Sequence, residues 1–199
     1  MHELSYGLSS DNAYYGPVKS ALDHSRLGGG SSGGSGASVG AGTMHFALGT
    51  DTFGSIRMPA TFNGVVGYKP TLNRWPADFG MKLTHTKDTP GCHAVSVDDA
   101  IFVDHLITDD RAYSPPHPKN VRVGVPNCHY YEDLDPLVKE IALRSLKNLR
   151  KAGFQLVEND GINIADHFTK MDNYESISYE FIRRFEEYCY THYIKMNMP

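Results

Sequence analysis

The sequence predicts an α/β fold, and three observations carry that expectation. Val121-Arg122-Val123-Gly124-Val125 alternates as a short strand and stops at Pro126, and Phe154 to Val157 reads as a second strand. Between them Asp135 can cap a helix with Pro136 at its first position, an apolar stripe at Leu137, Val138, Ile141, Ala142, Leu146 and Leu149, and Gly153 just past its end. Strand, helix of about 17 residues and strand is the length of a parallel crossover, the building unit of α/β proteins.

In chain order, residues 1–27 are polar and rich in breakers such as Ser9-Ser10-Asp11-Asn12 and Gly16-Pro17, which predicts loops and short extended pieces. Residues 36–47 carry small side chains at many positions, which would let a helix pack very closely against a sheet. Glycine inside a helix costs about 1 kcal/mol relative to alanine, and close packing would have to offset that. Ser96-Val97-Asp98-Asp99 opens an apolar-periodic run to Ile107, with Ser96 as N-cap and Asp99 as the reciprocal acid three positions on. Tyr174 to Tyr193 is aromatic-rich with charges interleaved, which predicts one more amphipathic helix.

The 199 residues suffice for one domain with a sizeable core, and 40% hydrophobic with 21% charged residues argues against disorder. Nineteen basic against 23 acidic side chains give −4, which leaves no footprint for nucleic acid or anionic lipid. Cys92, Cys128 and Cys189 are odd in number and widely spaced, which suits free thiols in a reducing compartment and makes the cytoplasm the expectation. The histidines show no ligand spacing, so no metal is expected. Cys92 reads as a small buried filler, and Asp23-His24-Ser25 as a solvated loop.

Chemistry concentrates in residues 28–60. A Gly28-Gly29-Gly30-Ser31-Ser32-Gly33-Gly34-Ser35-Gly36 tract standing alone would mean a flexible linker. Here Val39, Met44, Phe46 and Leu48 follow and lead into Gly49-Thr50-Asp51-Thr52-Phe53-Gly54-Ser55, where a linker would have featureless flanks. Phosphate cradling would need Lys-Ser/Thr after the last glycine, but Ala37-Ser38 follows. A serine hydrolase needs a proton acceptor for a weak nucleophile and donors aimed at the developing oxyanion, and glycines allow the sharp turns that point successive N–H groups into one pocket.

The tract, followed by Leu48 to Ala60 with Ser31 and Ser55 separated by 24 positions, resembles the signature of the amidase signature family. Met1-His2-Glu3-Leu4-Ser5-Tyr6-Gly7 and Asn63-Gly64-Val65-Val66-Gly67-Tyr68-Lys69-Pro70-Thr71 resemble the segments that flank it. Asp88-Thr89-Pro90-Gly91 and Tyr130-Tyr131-Glu132-Asp133-Leu134-Asp135 are most similar to the indoleacetamide and mandelamide hydrolase branch. The resemblance implies a mixed β-sheet covered by helices on both faces and a Ser–Ser–Lys triad that cuts a carboxamide C–N bond. Ser55 would be the nucleophile, and Ser31, in a cis peptide, would relay its proton to a neutral lysine. Backbone N–H groups of Thr52, Phe53, Gly54 and Ser55 would form the oxyanion hole, and Asp51, Arg57 and Ser32 would hold the loop.

The resemblance further implies a small amide substrate of the aryl-acetamide type, such as indole-3-acetamide, and no cofactor. It implies no nucleic-acid or membrane partner, and it allows a homodimer. Two positions depart from the family pattern. Phe53 stands where many relatives have glycine, so it either keeps φ negative or strains the loop. The family lysine lies farther upstream than the 30 residues before Ser31, while Lys19 and Lys69 read as solvated or structural. The chain therefore reads as an internal fragment, a partial amidase domain over residues 1–199 without the lysine-bearing segment and the C-terminal part. Two alternatives stay open: a catalytically inactive fragment, and the amidase subunit of a tRNA-dependent amidotransferase.

Overall fold

The computed structural model describes residues 1–77, 80–111, 114–126, 133–159 and 173–192. Cys128, the Tyr130 to Glu132 part of the resemblance and the end of the aromatic tail at Tyr193 lie outside them. The chain forms two compact units, residues 1–111 with 174–199, and residues 112–173. The α/β class holds: helices and strands alternate through both.

In the first unit the polar N-terminal stretch forms a 3₁₀ turn at Glu3–Ser5 and a two-residue hairpin of β1 (Asp11–Asn12) and β2 (Gly16–Pro17). Helix α1 (Gly33–Gly40) follows the glycine tract, then β3 (Phe46–Asp51), α2 (Arg57–Asn63), β4 (Val66–Tyr68), β5 (Thr89–Ala94) and α3 (Val97–Thr108). Strands run in the order β3-β5-β4, both pairings antiparallel, with Asp51 opposite Thr89 and Ala47 opposite His93.

Every residue of β5 is buried, and successive side chains of a strand point to opposite faces. Cys92 and Ala94 face α3, where Trp75, Ala100 and Val103 close an apolar core with Val66, Tyr68 and Ile107 against it. His93 faces the other way, toward Ile56 at the start of α2. Helices thus cover both faces. The small-residue helix α1 ends at Gly40 rather than running to 47, and its close approach at Gly36 is to α2 rather than to the sheet: an added Cβ would stand 2.9 Å from Pro59 Cβ and 3.0 Å from its carbonyl oxygen. This close approach of α1 to α2 explains a glycine that helix propensity disfavours.

Ser96 and Asp99 form the reciprocal cap of α3: the Ser96 hydroxyl accepts from Asp99 N–H at 3.1 Å and Asp99 accepts from Ser96 N–H at 3.1 Å. The sheet, by contrast, has no strand signal in the sequence. Pro90 and Gly91 sit in its central strand, where composition argues against one. Burial on both faces also removes the alternation that marks a half-exposed strand.

Asp104 joins the core to the surface, accepting from Trp75 Nε1 at 2.7 Å, Arg74 Nε at 2.9 Å and the Tyr68 hydroxyl at 3.2 Å. Helix α4 (Pro136–Lys151) belongs to the second unit, where β6 (Arg122–Pro126) and β7 (Gln155–Asn159) pair in parallel, Arg122 opposite Gln155. Asp135 accepts the Leu137 N–H at 2.9 Å as the N-cap, and Gly153 takes φ +100° past the end of α4.

Helix α5 (Asn173–Thr191) returns to the first unit. Its Glu180 carboxylate accepts the N–H groups of His85 at 2.6 Å and Thr86 at 3.1 Å. Phe181 packs on Tyr6 with ring centroids 4.7 Å apart, and the Tyr6 hydroxyl meets Ser178 Oγ at 3.0 Å.

Candidate active site

The glycine and serine tract is anchored. The Ser31 carbonyl accepts from His2 N–H at 3.1 Å and from the Ser10 hydroxyl at 3.0 Å, and Ser10 Oγ in turn accepts Gly33 N–H at 3.1 Å. A Cβ on Gly33 would stand 2.5 Å from Ser10 Oγ, so glycine is required there by close approach. The Gly30–Ser31 peptide is cis. Ser31 is 1% exposed, and its hydroxyl has no hydrogen-bond partner among the described residues. No described lysine therefore meets it; Lys69 donates to the Pro70 carbonyl at 2.9 Å.

Ser32 ties the tract to the second motif. Its N–H donates to the Ser55 carbonyl at 3.2 Å, and its hydroxyl lies 3.3 Å from both the N–H and the carbonyl of Thr50. The loop after β3 wraps around Asp51, which is 1% exposed. Asp51 Oδ1 accepts Gly54 N–H at 2.8 Å, and Oδ2 accepts Ile56 N–H at 3.2 Å and Arg57 N–H at 3.4 Å. The Arg57 guanidinium donates to both carboxylate oxygens at 3.0 Å. Burial alone would push the Asp51 carboxyl up, but hydrogen bonds from Arg57, Gly54 and Ile56 outweigh it and hold the group below the usual carboxylate range.

Two details of the loop go beyond the sequence reading. Gly54 takes the left-handed backbone, φ +110°, whereas Phe53 is not among the described residues with positive φ. The strain anticipated at Phe53 is thus avoided by the next residue. The Gly54 N–H, one of the four donors anticipated for an oxyanion, is bonded to Asp51 in this arrangement and braces the turn.

Ser55 is 4% exposed and borders a cavity of about 250 Å³. Its walls are mostly apolar: Tyr6, Leu8, Phe53, Leu83 and Ile177, with Thr52 beside Ser55. Asp88 braces two of these, accepting from the Thr52 hydroxyl at 2.7 Å and from Leu83 N–H at 2.7 Å. Phe53 and Thr52 also border a second, more open cavity of about 430 Å³ over Arg57 and Met58.

Ser31, Ser32, Asp51, Thr52, Phe53, Gly54, Ser55 and Arg57 all gather here. Ser10, His93 and Ile177 carry no motif signal in the sequence, because only the folded chain brings them to the loop, and Asp88, visible as part of a motif, shows its bracing role only in the fold. Cys92 is fully buried on the far face of β5, and burial pushes its thiol up to about 11, which leaves it inert. Asp23 and Ser25 form a surface turn, the hydroxyl donating to Asp23 Oδ1 at 2.6 Å.

A family profile described as Amidase matches residues 1–192. An indoleacetamide hydrolase of Allorhizobium ampelinum is 36% identical over 96% of the chain, and a mandelamide hydrolase of Pseudomonas putida is 42% identical over 79%. The chain spans 41% and 32% of those two proteins. Among solved structures, an amidase matches 96% of the chain with a TM-score of 0.79 at 33% identity, over 43% of its own length. A peptide amidase solved with the competitive inhibitor chymostatin matches 94% of the chain with a TM-score of 0.78 at 27% identity, over 41% of its own length. Among the described residues no helix is long and apolar enough to cross a membrane.

Proposed function

The chain belongs to the Amidase family, and from that premise we propose that the protein carrying it hydrolyses a carboxamide to a carboxylate and ammonia through an acyl-serine intermediate. The observation that carries the proposal is the junction of the two serine segments: Ser32 N–H on the Ser55 carbonyl, beside a buried Ser31 hydroxyl without a partner among the described residues. A buried hydroxyl is normally satisfied, so an orphan next to the segment that grips Ser55 points to a role in chemistry.

Ser55 Oγ attacks the amide carbon while its proton passes to Ser31 and on to a base. Negative charge grows on the substrate oxygen, and the backbone N–H groups of Thr52, Phe53, Gly54 and Ser55 are the candidate donors, of which Gly54 N–H is engaged by Asp51 in this arrangement. Collapse breaks the C–N bond as the proton taken from Ser55 returns through Ser31 to the leaving nitrogen, which departs as ammonia. Water then attacks the acyl-serine, giving up its proton by the same route to release the acid. We assign the base to a lysine outside these residues, as the family resemblance implies. On this reading the isolated 199-residue chain is nearly inactive, because removing one member of a hydrolase triad leaves only a small residual rate.

The apolar cavity beside Ser55 suits an aromatic acyl group, and the hydrolases of indoleacetamide and mandelamide among the relatives support an aryl-acetamide substrate. Cys92 and Cys189, free and buried, suit a cytoplasmic setting. The test is ammonia release from indole-3-acetamide and phenylacetamide by the protein carrying this chain. Turnover abolished by Ser55→Ala is expected; turnover that survives the substitution removes the assignment.

A further inference from the structure

We propose that His93 is a positioning residue for the nucleophile turn, holding the peptide that follows Ser55 through its side-chain N–H; the proposal rests on the amidase reading above. Two successive peptide groups leave Ser55, and each is gripped at both edges. In the first, the Ser55 carbonyl accepts from Ser32 N–H at 3.2 Å and the Ile56 N–H donates to Asp51 at 3.2 Å. In the second, the Ile56 carbonyl lies 3.0 Å from His93 Nε2 and the Arg57 N–H donates to Asp51 at 3.4 Å. Ala60 N–H also reaches the Ile56 carbonyl, at 3.1 Å, as the opening bond of helix α2. His93 is the side chain through which the central strand β5 grips this turn.

The chemistry of the ring fits that task. A carbonyl only accepts, so Nε2 carries the hydrogen and Nδ1 is bare. His93 is 0% exposed and Nδ1 has no partner among the described residues, so the ring is buried at the expense of one unsatisfied nitrogen. An aliphatic side chain would fill the space without that penalty. Burial also lowers the imidazole pKa against the pull of the Ile56 and Ala47 backbone groups and of the Asp51 charge, which keeps the ring neutral with a single N–H to aim. The ring lies against Gly49, where an added Cβ would stand 3.3 Å from its Cε1, so it is fixed between β3 and the turn.

The test compares His93→Gln, His93→Asn and His93→Leu in the protein carrying this chain, with ammonia release from phenylacetamide as the rate and thermal melting as the check of folding. Glutamine can place an amide N–H near the Nε2 position, asparagine stops short of it, and leucine donates nothing. We expect His93→Gln to keep kcat within about threefold, and His93→Leu and His93→Asn to lose at least about tenfold in kcat with KM within about threefold. Equal kcat in the glutamine and asparagine variants overturns the proposal, as does full kcat in a folded leucine variant. If leucine does not fold, the glutamine and asparagine pair decides; if none of the three folds, His93 is a core determinant and the proposal falls. An unsubstituted protein that releases no ammonia is a different failure, that of the amidase reading, and the inference falls with it.

Discussion

The Ser32 N–H donates to the Ser55 carbonyl at 3.2 Å, a single backbone bond that locks the glycine and serine tract to the turn after β3. Its consequence is that the residue after Ser31 is tied directly to the backbone of Ser55. Side-chain truncation at either serine leaves this backbone bond intact, so their effects on chemistry separate from effects on folding.

Ser31→Ala should therefore cut kcat by at least about 10³-fold in the active protein, by analogy with loss of a triad member. The melting temperature should not fall, because the hydroxyl removed makes no hydrogen bond among the described residues. Steady-state ammonia assays and thermal melts on the same preparation check both halves. An unchanged rate would reduce Ser31 to a turn residue.

Asp51 predicts a pH dependence. Its folded pKa is lowered, so its stabilisation is fully present above the unfolded value of about 3.9 and is lost as pH falls through the lowered folded value. Asp51→Asn should cost about 2 kcal/mol at pH 7, since buried donors lose a charged acceptor, and the gap to the unsubstituted protein should close below about pH 4. Urea unfolding at pH 7, 5 and 3 measures it. A gap independent of pH would mean that the carboxylate charge contributes nothing.

Phe53 forms a shared wall between the 250 Å³ cavity at Ser55 and the 430 Å³ cavity over Arg57. Phe53→Gly should merge them and loosen the fit to an aryl group. The ratio of kcat/KM for phenylacetamide over propionamide should fall at least about fivefold, the scale of a few methylenes of lost contact. Identical ratios in both forms would remove Phe53 from specificity.

Asp104 tests the other face of the sheet. Asp104→Ala strands the buried Trp75 N–H and leaves the Arg74 guanidinium with Asp110 as its acidic partner, and an unsatisfied buried donor costs about 1–3 kcal/mol. Denaturant titration should show this loss. Arg74→Ala should cost less, because Arg74 is 33% exposed and its removal leaves Asp104 with Trp75 and Tyr68 as donors.

Local chemistry made several parts of this protein readable from the sequence. The Ser96–Asp99 cap, the Asp135-Pro136 helix start, the Gly153 stop and the flanking strands of the crossover depend on residues within a few positions of one another. The serine and glycine motifs were also visible, because their order and spacing are properties of the chain. Tertiary structure decided the rest. Strand β5 holds Pro90 and Gly91 at the sheet centre because both of its faces are buried, a condition that neither propensity nor alternation reports. Ser10 reaches Ser31, Ser32 reaches Ser55, His93 reaches Ile56 and Ile177 reaches the cavity only after the sheet and its helices have packed. Contacts between residues 21 to more than 120 positions apart leave no periodic trace in the chain, so the nucleophile motif was legible while the side chains that hold it in shape were not.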